Sequence, residues 1–225
     1  MAMEKHTVSI KSIENVTHDT LKIHTEKPAN YTFKPGQATE IAINKNGWQN
    51  ERRPFTFTSL PEDKDLQFVI KTYPEHDGAT DKLLDLVPGD ELILHEVFGS
   101  ITYHGQGVFI AGGAGVTPFL AIFRDLYRKD SSDSNTLIFA NKTRDDIILK
   151  EELEQMLDGQ VVHILSEEKT DEYAHGFITR EFLEQHINDK GQYFYICGPE
   201  PMMEAVEKHL DKLGIPKENR VKESW

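Results

Sequence analysis

The 225-residue sequence contains a single cysteine, Cys197. One thiol excludes an internal disulfide and any iron–sulfur cluster ligated by several thiolates of this chain. Long apolar runs are also missing. No stretch approaches the roughly 20 residues that a membrane-spanning helix needs, and the start, Met1-Ala2-Met3-Glu4-Lys5-His6, lacks the apolar centre of a signal peptide. These absences predict a soluble, cytoplasmic protein without a membrane partner. Positive charge is scarce: 25 Lys and Arg face 38 Asp and Glu, and the formal charge of −13 repels nucleic acid and anionic lipid surfaces. The 10 histidines include no i, i+4 pair and no His-Cys cluster, so dispersed surface histidines are expected and no metal site.

What is present divides into two regimes. Up to about residue 100, short alternating runs (Thr39-Ile41-Ile43, Phe55-Phe57, Leu66-Phe68-Ile70) are punctuated by Pro35-Gly36, Asn46-Gly47 and Pro88-Gly89. This pattern predicts an antiparallel barrel or sandwich. After Gly105, apolar strands at 108–111, 137–140, 161–165 and 193–196 alternate with helical stretches at 145–157 and 179–187, the pattern of a parallel α/β sheet. The expected fold is therefore β plus α/β: an N-terminal antiparallel β-domain over 1–104 and a Rossmann-like parallel-sheet domain over 105–225, with the boundary near 103–107.

Three segments carry chemistry. Residues 107–126, GVFIAGGAGVTPFLAIFRDL, read as a buried strand, a glycine turn and a helix start, with Thr117 as N-cap, Pro118 at the first helical position and Phe119, Ile122, Phe123 and Leu126 on the apolar face. Gly112, Gly113 and Gly115 would let backbone N–H groups approach an anion where the helix dipole favours it, although the run departs from G-x-G-x-x-G. A second buried strand, Tyr193-Phe194-Tyr195-Ile196, breaks at Cys197-Gly198-Pro199-Glu200-Pro201 before a helix with Met202, Met203, Val206, Leu210 and Leu213 on its apolar side. The third segment is Arg53-Pro54-Phe55-Thr56-Phe57-Thr58-Ser59. Taken alone, it equally suits an edge strand with two core phenylalanines; Cys197 suits a small buried hydrophobe, and residues 223–225 a loose end.

Together these segments resemble the ferredoxin–NADP reductase superfamily, in the form of its stand-alone members without an iron–sulfur domain. Arg53, Phe55, Thr56 and Ser59 are similar to its Arg-x-Tyr-Ser-x-x-Ser flavin signature, with Phe in place of Tyr and Thr in place of the first Ser. Asp77-Gly78-Ala79-Thr80 resembles a shortened second flavin segment, Gly112 to Pro118 the nucleotide loop, and Cys197-Gly198-Pro199-Glu200-Pro201-Met202 the Cys-Gly-Pro-x-x-Met segment near the nicotinamide. Glu223-Ser224-Trp225 resembles the acidic-x-aromatic ending.

The resemblance implies an N-terminal FAD-binding β-barrel and a nicotinamide-nucleotide domain. Arg53 would fork onto a flavin phosphate, Pro54 and Phe55 would lie along the flavin ring, and Thr56 would place a hydroxyl near N5, with Ser59 completing the signature. Gly78, Ala79 and Thr80 would meet the FAD pyrophosphate. Gly113, Ala114, Gly115, Val116 and Thr117 would take the nicotinamide pyrophosphate, and Cys197, Gly198, Pro199 and Met202 would line the nicotinamide. Thr56, Cys197, Glu223 and Trp225 are the expected catalytic set, with Glu223 relaying a proton and Trp225 covering the flavin. Lys142, Ser166 and Glu167 would face the adenosine ribose. Glu167 and Glu168 there favour NADH over NADPH, whereas Lys142 and Arg144 leave NADPH open. The implied activity passes electrons singly from NAD(P)H to a ferredoxin or flavodoxin, and could supply a monooxygenase. Docking of such an acidic partner would draw on Lys27, Lys34, Lys45, Arg52 and Arg53. A flavin or ferric reductase with small-molecule acceptors is the alternative, and a non-catalytic nucleotide-binding module a more distant one. A monomer is expected.

Overall fold

The computed structural model describes residues 5–73, 78–131 and 134–223. In the first half, strands β1 (His6–Thr17), β2 (Thr20–Glu26), β3 (Ala38–Ile43), β4 (Arg53–Thr56) and β5 (Asp65–Lys71) precede a one-turn helix α1 (Ala79–Lys82) and strand β6 (Glu91–Phe98). They form one antiparallel sheet in the order β4-β3-β6-β1-β2-β5. Its two edges meet. Phe57 bridges Phe68, and Thr58 N–H donates to the Gln67 carbonyl at 2.9 Å, so the sheet closes into a barrel. The period-2 alternation dictates what fills it: Ile41, Ile43, Leu66, Phe68, Ile70, Leu92 and Leu94 are all buried, around Phe33 stacked on Phe57 at 4.2 Å.

The second half holds β7 (Gly107–Gly112), α2 (Thr117–Arg128), β8 (Thr136–Asn141), α3 (Lys150–Met156), β9 (Val161–Leu165), β10 (Ala174–His175), α4 (Arg180–His186), β11 (Tyr193–Cys197), α5 (Glu200–Leu213) and β12 (Arg220–Lys222). The strands pair in parallel in the order β10-β9-β8-β7-β11-β12. Every residue of β7 is buried, as its continuous apolar run requires of a central parallel strand. Phe109 and Ala111 pack against α2 and α3 on one face, while Val108 and Ile110 pack against α4 and α5 on the other. From β7 the chain builds outward through β8 and β9, then returns to place β11 on β7's other side. The direction of winding thus reverses at β7, which places a crevice at the carboxyl ends of β7 and β11.

Two expectations are corrected. The helix expected over 145–157 begins only at Lys150, because Asp146 is held in a short 3-10 turn (Arg144–Asp146). Its carboxylate accepts Thr143 N–H at 2.9 Å and Thr143 Oγ1–H at 2.7 Å, and Lys71 of the barrel reaches it at 3.2 Å. The histidines are not all on the surface either: His95 and His163 are 3% and 5% exposed. Among the described residues no helix is long and apolar enough to cross a membrane.

Candidate functional site

β7 and β11 end together, with Ile110 opposite Ile196 and Ala111 opposite Cys197, so the glycine loop and the Cys-Gly-Pro loop leave the sheet side by side. Their glycines hold the two loops in contact. A Cβ on Gly112 would lie 2.6 Å from Met202 Sδ and 2.9 Å from Pro199 Cδ, and one on Gly198 would lie 2.7 Å from Met202 Cε. One on Gly115 would overlap the Cys197 carbonyl and lie 2.6 Å from Gly198 N. These contacts correct the reading that Gly112 and Gly115 leave room for a ligand. That description suits Gly113, which has φ +49 and open space where its Cβ would be.

Thr117 is not the N-cap. A 3-10 turn (Gly113–Val116) runs directly into α2, Val116 already has helical angles (φ −72, ψ −19), and Thr117 Oγ1 donates back to the Ala114 carbonyl at 2.9 Å. The extra turn carries the positive end of the helix dipole to the half-buried Gly113-Ala114 backbone.

The barrel meets this crevice through the linker after β6. Glu223, directly after β12, accepts Ser100 N–H at 3.1 Å, Ser100 Oγ–H at 2.9 Å and Ile101 N–H at 3.3 Å. It also lies 3.0 Å from the Cβ position of Gly99, which in turn is 3.5 Å from Ala38 N. Ala38 pairs with Thr56 across β3 and β4, and Lys222, the residue before Glu223, pairs with Ile196, the residue before Cys197. The strand end bearing Thr56 and the one bearing Cys197 are thereby drawn to a single neighbourhood. Burial, and secondarily the Glu223 charge, push the Cys197 thiol up to about 12, so it is a neutral thiol near neutral pH.

The remaining expected residues are placed as follows. Phe55 packs on the barrel core and Thr56 is half-buried, its hydroxyl without a hydrogen-bond partner among the described residues. Arg53 and Pro54 are exposed; Arg53 contacts Glu51 at 3.6 Å and the Arg52 carbonyl at 2.7 Å. Ser59 is 4% exposed and its Oγ accepts Gln67 N–H at 3.0 Å, so its hydroxyl belongs to the barrel seam. Gly78 precedes α1 in extended backbone, followed by buried Ala79 and half-buried Thr80; Asp77 lies outside the described residues. Trp225 also lies outside them.

At the crevice rim, Lys142 Nζ is 3.4 Å from Glu167 Oε1, and Glu168 accepts both Arg144 Nε–H at 2.6 Å and Arg144 backbone N–H at 2.8 Å. Ser166 N–H donates to the Asn141 carbonyl at 3.0 Å. Of the five cations considered for docking, three are paired with carboxylates, Lys45 with Asp90 at 2.8 Å, Arg52 with Glu40 at 3.5 Å and Arg53 with Glu51 at 3.6 Å, and Lys27 lies over the Phe33 ring and donates to the Pro61 carbonyl. His18, Asp19 and Asp146 bring ligand atoms within 4.8 Å of one another, but Lys71 Nζ already sits 2.8 Å from Asp19 and 3.2 Å from Asp146.

Two residues escaped the sequence reading. Phe177, 78% exposed beyond β10, and Asn141, whose buried amide has no hydrogen-bond partner, show no periodic or motif signal. A flavin and a nicotinamide nucleotide fit these features: an open backbone turn at a helix start, an exposed guanidinium, and a hydroxyl and a buried amide with unused hydrogen-bonding capacity.

Comparison with known proteins agrees. A family model described as "FAD-binding domain" matches residues 5–92, and one described as "Oxidoreductase NAD-binding domain" matches 109–208. NADH-cytochrome b5 reductase 1 of Meyerozyma guilliermondii is 31% identical over 199 residues, 81% of this chain and 68% of that protein. The reductase component of propane 2-monooxygenase from Mycolicibacterium smegmatis is 27% identical over 228 residues, 93% of this chain but 64% of that protein. In structure, the FAD/NAD-binding domain of a nitric oxide dioxygenase from Vibrio cholerae superposes with a TM-score of 0.86 at 21% identity, covering 97% of this chain and 98% of that one. The closed barrel, the reversal of winding at β7 and the two matched halves lead to one assignment: the chain belongs to the ferredoxin–NADP reductase superfamily, as an FAD-dependent, NAD(P)H-using flavoprotein reductase.

Proposed function

We propose that this reductase passes electrons one at a time to a separate small redox protein: a ferredoxin or flavodoxin, or a haem protein of the cytochrome b5 kind. When bound, the flavin supplies the chemistry, taking a hydride from the nicotinamide and releasing electrons to the acceptor. The chain's residues bind, orient and shield. Arg53 offers its exposed guanidinium to the flavin phosphates, Gly78 to Thr80 offer backbone amides beside it, and Phe55 supports the ring from the barrel. Thr56 places its unpartnered hydroxyl at the reacting edge. Gly113 to Thr117 receive the nucleotide pyrophosphate on the helix start. Cys197, as a neutral thiol, together with Gly198, Pro199 and Met202, forms an apolar wall for the nicotinamide. Glu223 braces the linker against that wall, and its acceptor bonds to Ser100 and Ile101 suit positioning more than proton relay. Lys142, Ser166 and Glu167 face the ribose, and exposed Phe177 offers a surface for a purine ring. We place the boundary between the two functional halves at residues 104 and 105.

The observation that carries this reading is the succession Thr56, Ala38, Gly99, Glu223, Cys197, which joins the end of the flavin strand to the end of the nicotinamide strand. The names of the relatives, a cytochrome b5 reductase and the reductase component of a monooxygenase, support a protein acceptor. The test is steady-state NADH oxidation with ferredoxin, flavodoxin, cytochrome b5, free FMN and ferric citrate as separate acceptors. A protein carrier should exceed the small molecules in kcat/KM by at least about tenfold. Equal or better turnover with free flavin or ferric iron would favour the small-molecule reductase.

A further inference from the structure

The seam between the two halves runs along β5. Leu66, Phe68 and Ile70 point into the barrel, and the alternate residues Gln67, Val69 and Lys71 meet the second domain, whereas Asp65 pairs with Lys11 of the barrel. Gln67 Oε1 accepts from Arg124 at 2.5 Å, Val69 packs with Phe119 and Phe123, and Lys71 pairs with Asp146 at 3.2 Å. Arg124 is the most connected member. Its Nε and Nη2 fork onto Glu152 of α3 at 2.6 and 3.0 Å, while Nη1 donates to the Thr58 carbonyl at 2.6 Å as well as to Gln67.

Its position gives the network a consequence for the reaction. Thr58 lies two residues beyond Thr56; its hydroxyl donates to Gln67 Oε1 at 3.0 Å and its N–H to the Gln67 carbonyl at 2.9 Å. Arg124 lies about two helical turns along α2 from Thr117, where the glycine loop ends. One guanidinium, only 17% exposed, therefore fixes the helix that starts at the nucleotide loop against the end of the flavin strand. A planar fork sets direction as well as distance, which an ammonium group cannot do.

We propose that Arg124 is a positioning residue for hydride transfer: it touches neither cofactor, yet it fixes the Thr56 end of β4 relative to the Gly113 loop and so sets how flavin and nicotinamide face one another. This rests on the assignment of Thr56 and Gly113 made above. Displacement of reacting centres by about 1 Å can cost on the order of a hundredfold in rate, so a small slackening at this joint should be visible.

The test uses the full chain loaded with FAD, reduced by NADH and by NADH deuterated at the transferred position in a stopped-flow instrument. Arg124→Met should retain FAD stoichiometry and bind NAD+ within about twofold of the parent, yet reduce its flavin at least about tenfold more slowly at saturating NADH, with the isotope effect retained. Arg124→Lys should recover only a minor part of that loss. An FAD-loaded Arg124→Met with an unchanged reduction rate, or with a rate loss matched by an equal loss of NAD+ affinity, overturns the proposal. Should Arg124→Met not fold, Gln67→Leu decides, since it leaves Arg124's own bonds to Glu152 and to the Thr58 carbonyl in place while removing the Gln67 Oε1 that accepts from both Arg124 and the Thr58 hydroxyl: an approximately threefold or greater slowing supports the proposal and an unchanged rate overturns it. Failure of the parent protein to be reduced by NADH or NADPH would instead overturn the assignment of Thr56 and Gly113.

Discussion

Residues of one type do different work within a few positions of each other, and the glycines after β7 show how substitution should separate those roles. Gly115 lacks a side chain because the Cys197-Gly198 backbone fills the space, whereas Gly113 lacks one because its φ is +49, with nothing nearby to collide. Gly115→Ala should therefore force the two loops apart and cost more than about 2 kcal/mol of stability, whereas Gly113→Ala bears only the left-handed backbone term of about 1–2 kcal/mol. Urea denaturation of the two variants tests this order, and a Gly115→Ala protein as stable as Gly113→Ala would contradict the packing role. The sequence showed the glycines but not which of them served packing, since that depends on what stands opposite in β11, some eighty residues along the chain. Cys197 allows a second residue-scale prediction. With its thiol pushed up to about 12 by burial and Glu223, its thiolate fraction at pH 8 is orders of magnitude below that of a free cysteine. Alkylation by iodoacetamide at that pH should be more than about a hundredfold slower than for a free thiol. Rapid labelling of the folded protein would show the thiol to be activated.

At the level of elements, the barrel strands and the parallel-sheet strands were legible, because alternation and continuous apolar runs are local properties. Val161–Leu165 forms β9 where expected, and Thr179 caps α4 by accepting Phe182 N–H. The helix does not start at 145 because a local capping box, Thr143 N–H and Oγ1–H donating to the Asp146 carboxylate, closes a short turn first, and Lys71, 75 positions earlier, adds a remote bond that no local pattern shows. β5 was half legible in the same sense. Its inward residues announced themselves by hydrophobicity, but Gln67, Val69 and Lys71 gave no sign of their partners in α2 and the β8 to α3 loop. That loop and the one after β9 also set the nucleotide preference we expect. Lys142 and Arg144 are each paired with a carboxylate, at 3.4 Å to Glu167 and 2.6 Å to Glu168, so neither cation is free for a 2′-phosphate, and NADH should reduce the flavin faster than NADPH. Glu167→Arg should remove one carboxylate and add a cation, shifting the kcat/KM ratio toward NADPH by about tenfold, equivalent to about 1.4 kcal/mol. A parent enzyme already tenfold better with NADPH would show that the cations leave their carboxylates for the phosphate.

The whole molecule is an acidic chain, at −13, whose two halves are joined partly by the few cations it has. Lys71 of the barrel bridges Asp19 and Asp146 at 2.8 and 3.2 Å, and Arg128 of α2 reaches Asp63 of the barrel at 3.0 Å. Burial is the largest single effect on Asp19 and Asp146 and pushes both carboxyls up, but it is outweighed, at Asp19 by the hydrogen bonds from Lys71 and Thr17 with the Lys71 charge, and at Asp146 by the two hydrogen bonds from Thr143 followed by the bond and charge of Lys71, so both are held below their usual range. The sign of the pH dependence follows. With folded-state values below the ordinary 3.8, the unfolded chain takes up protons first on acidification, so the stabilisation is complete well above pH 4 and is lost as pH falls through the folded values. Because these carboxylates lie on the joint between the two halves, acid should loosen the joint before it melts either sheet. Amide exchange along β5 and the 141–149 segment should therefore report opening as pH falls below about 4 while the far-ultraviolet circular dichroism still shows both sheets. Asp146→Asn, which cannot ionise, should lower stability at pH 7 by about 1–3 kcal/mol and flatten the acid transition. An Asp146→Asn protein with the parent's stability at pH 7 and the parent's acid midpoint would mean that the Lys71 bridge does not hold the halves together, and the burden of that joint would fall on the remaining contacts, those of Arg124, Val69 and the Arg128–Asp63 pair among them.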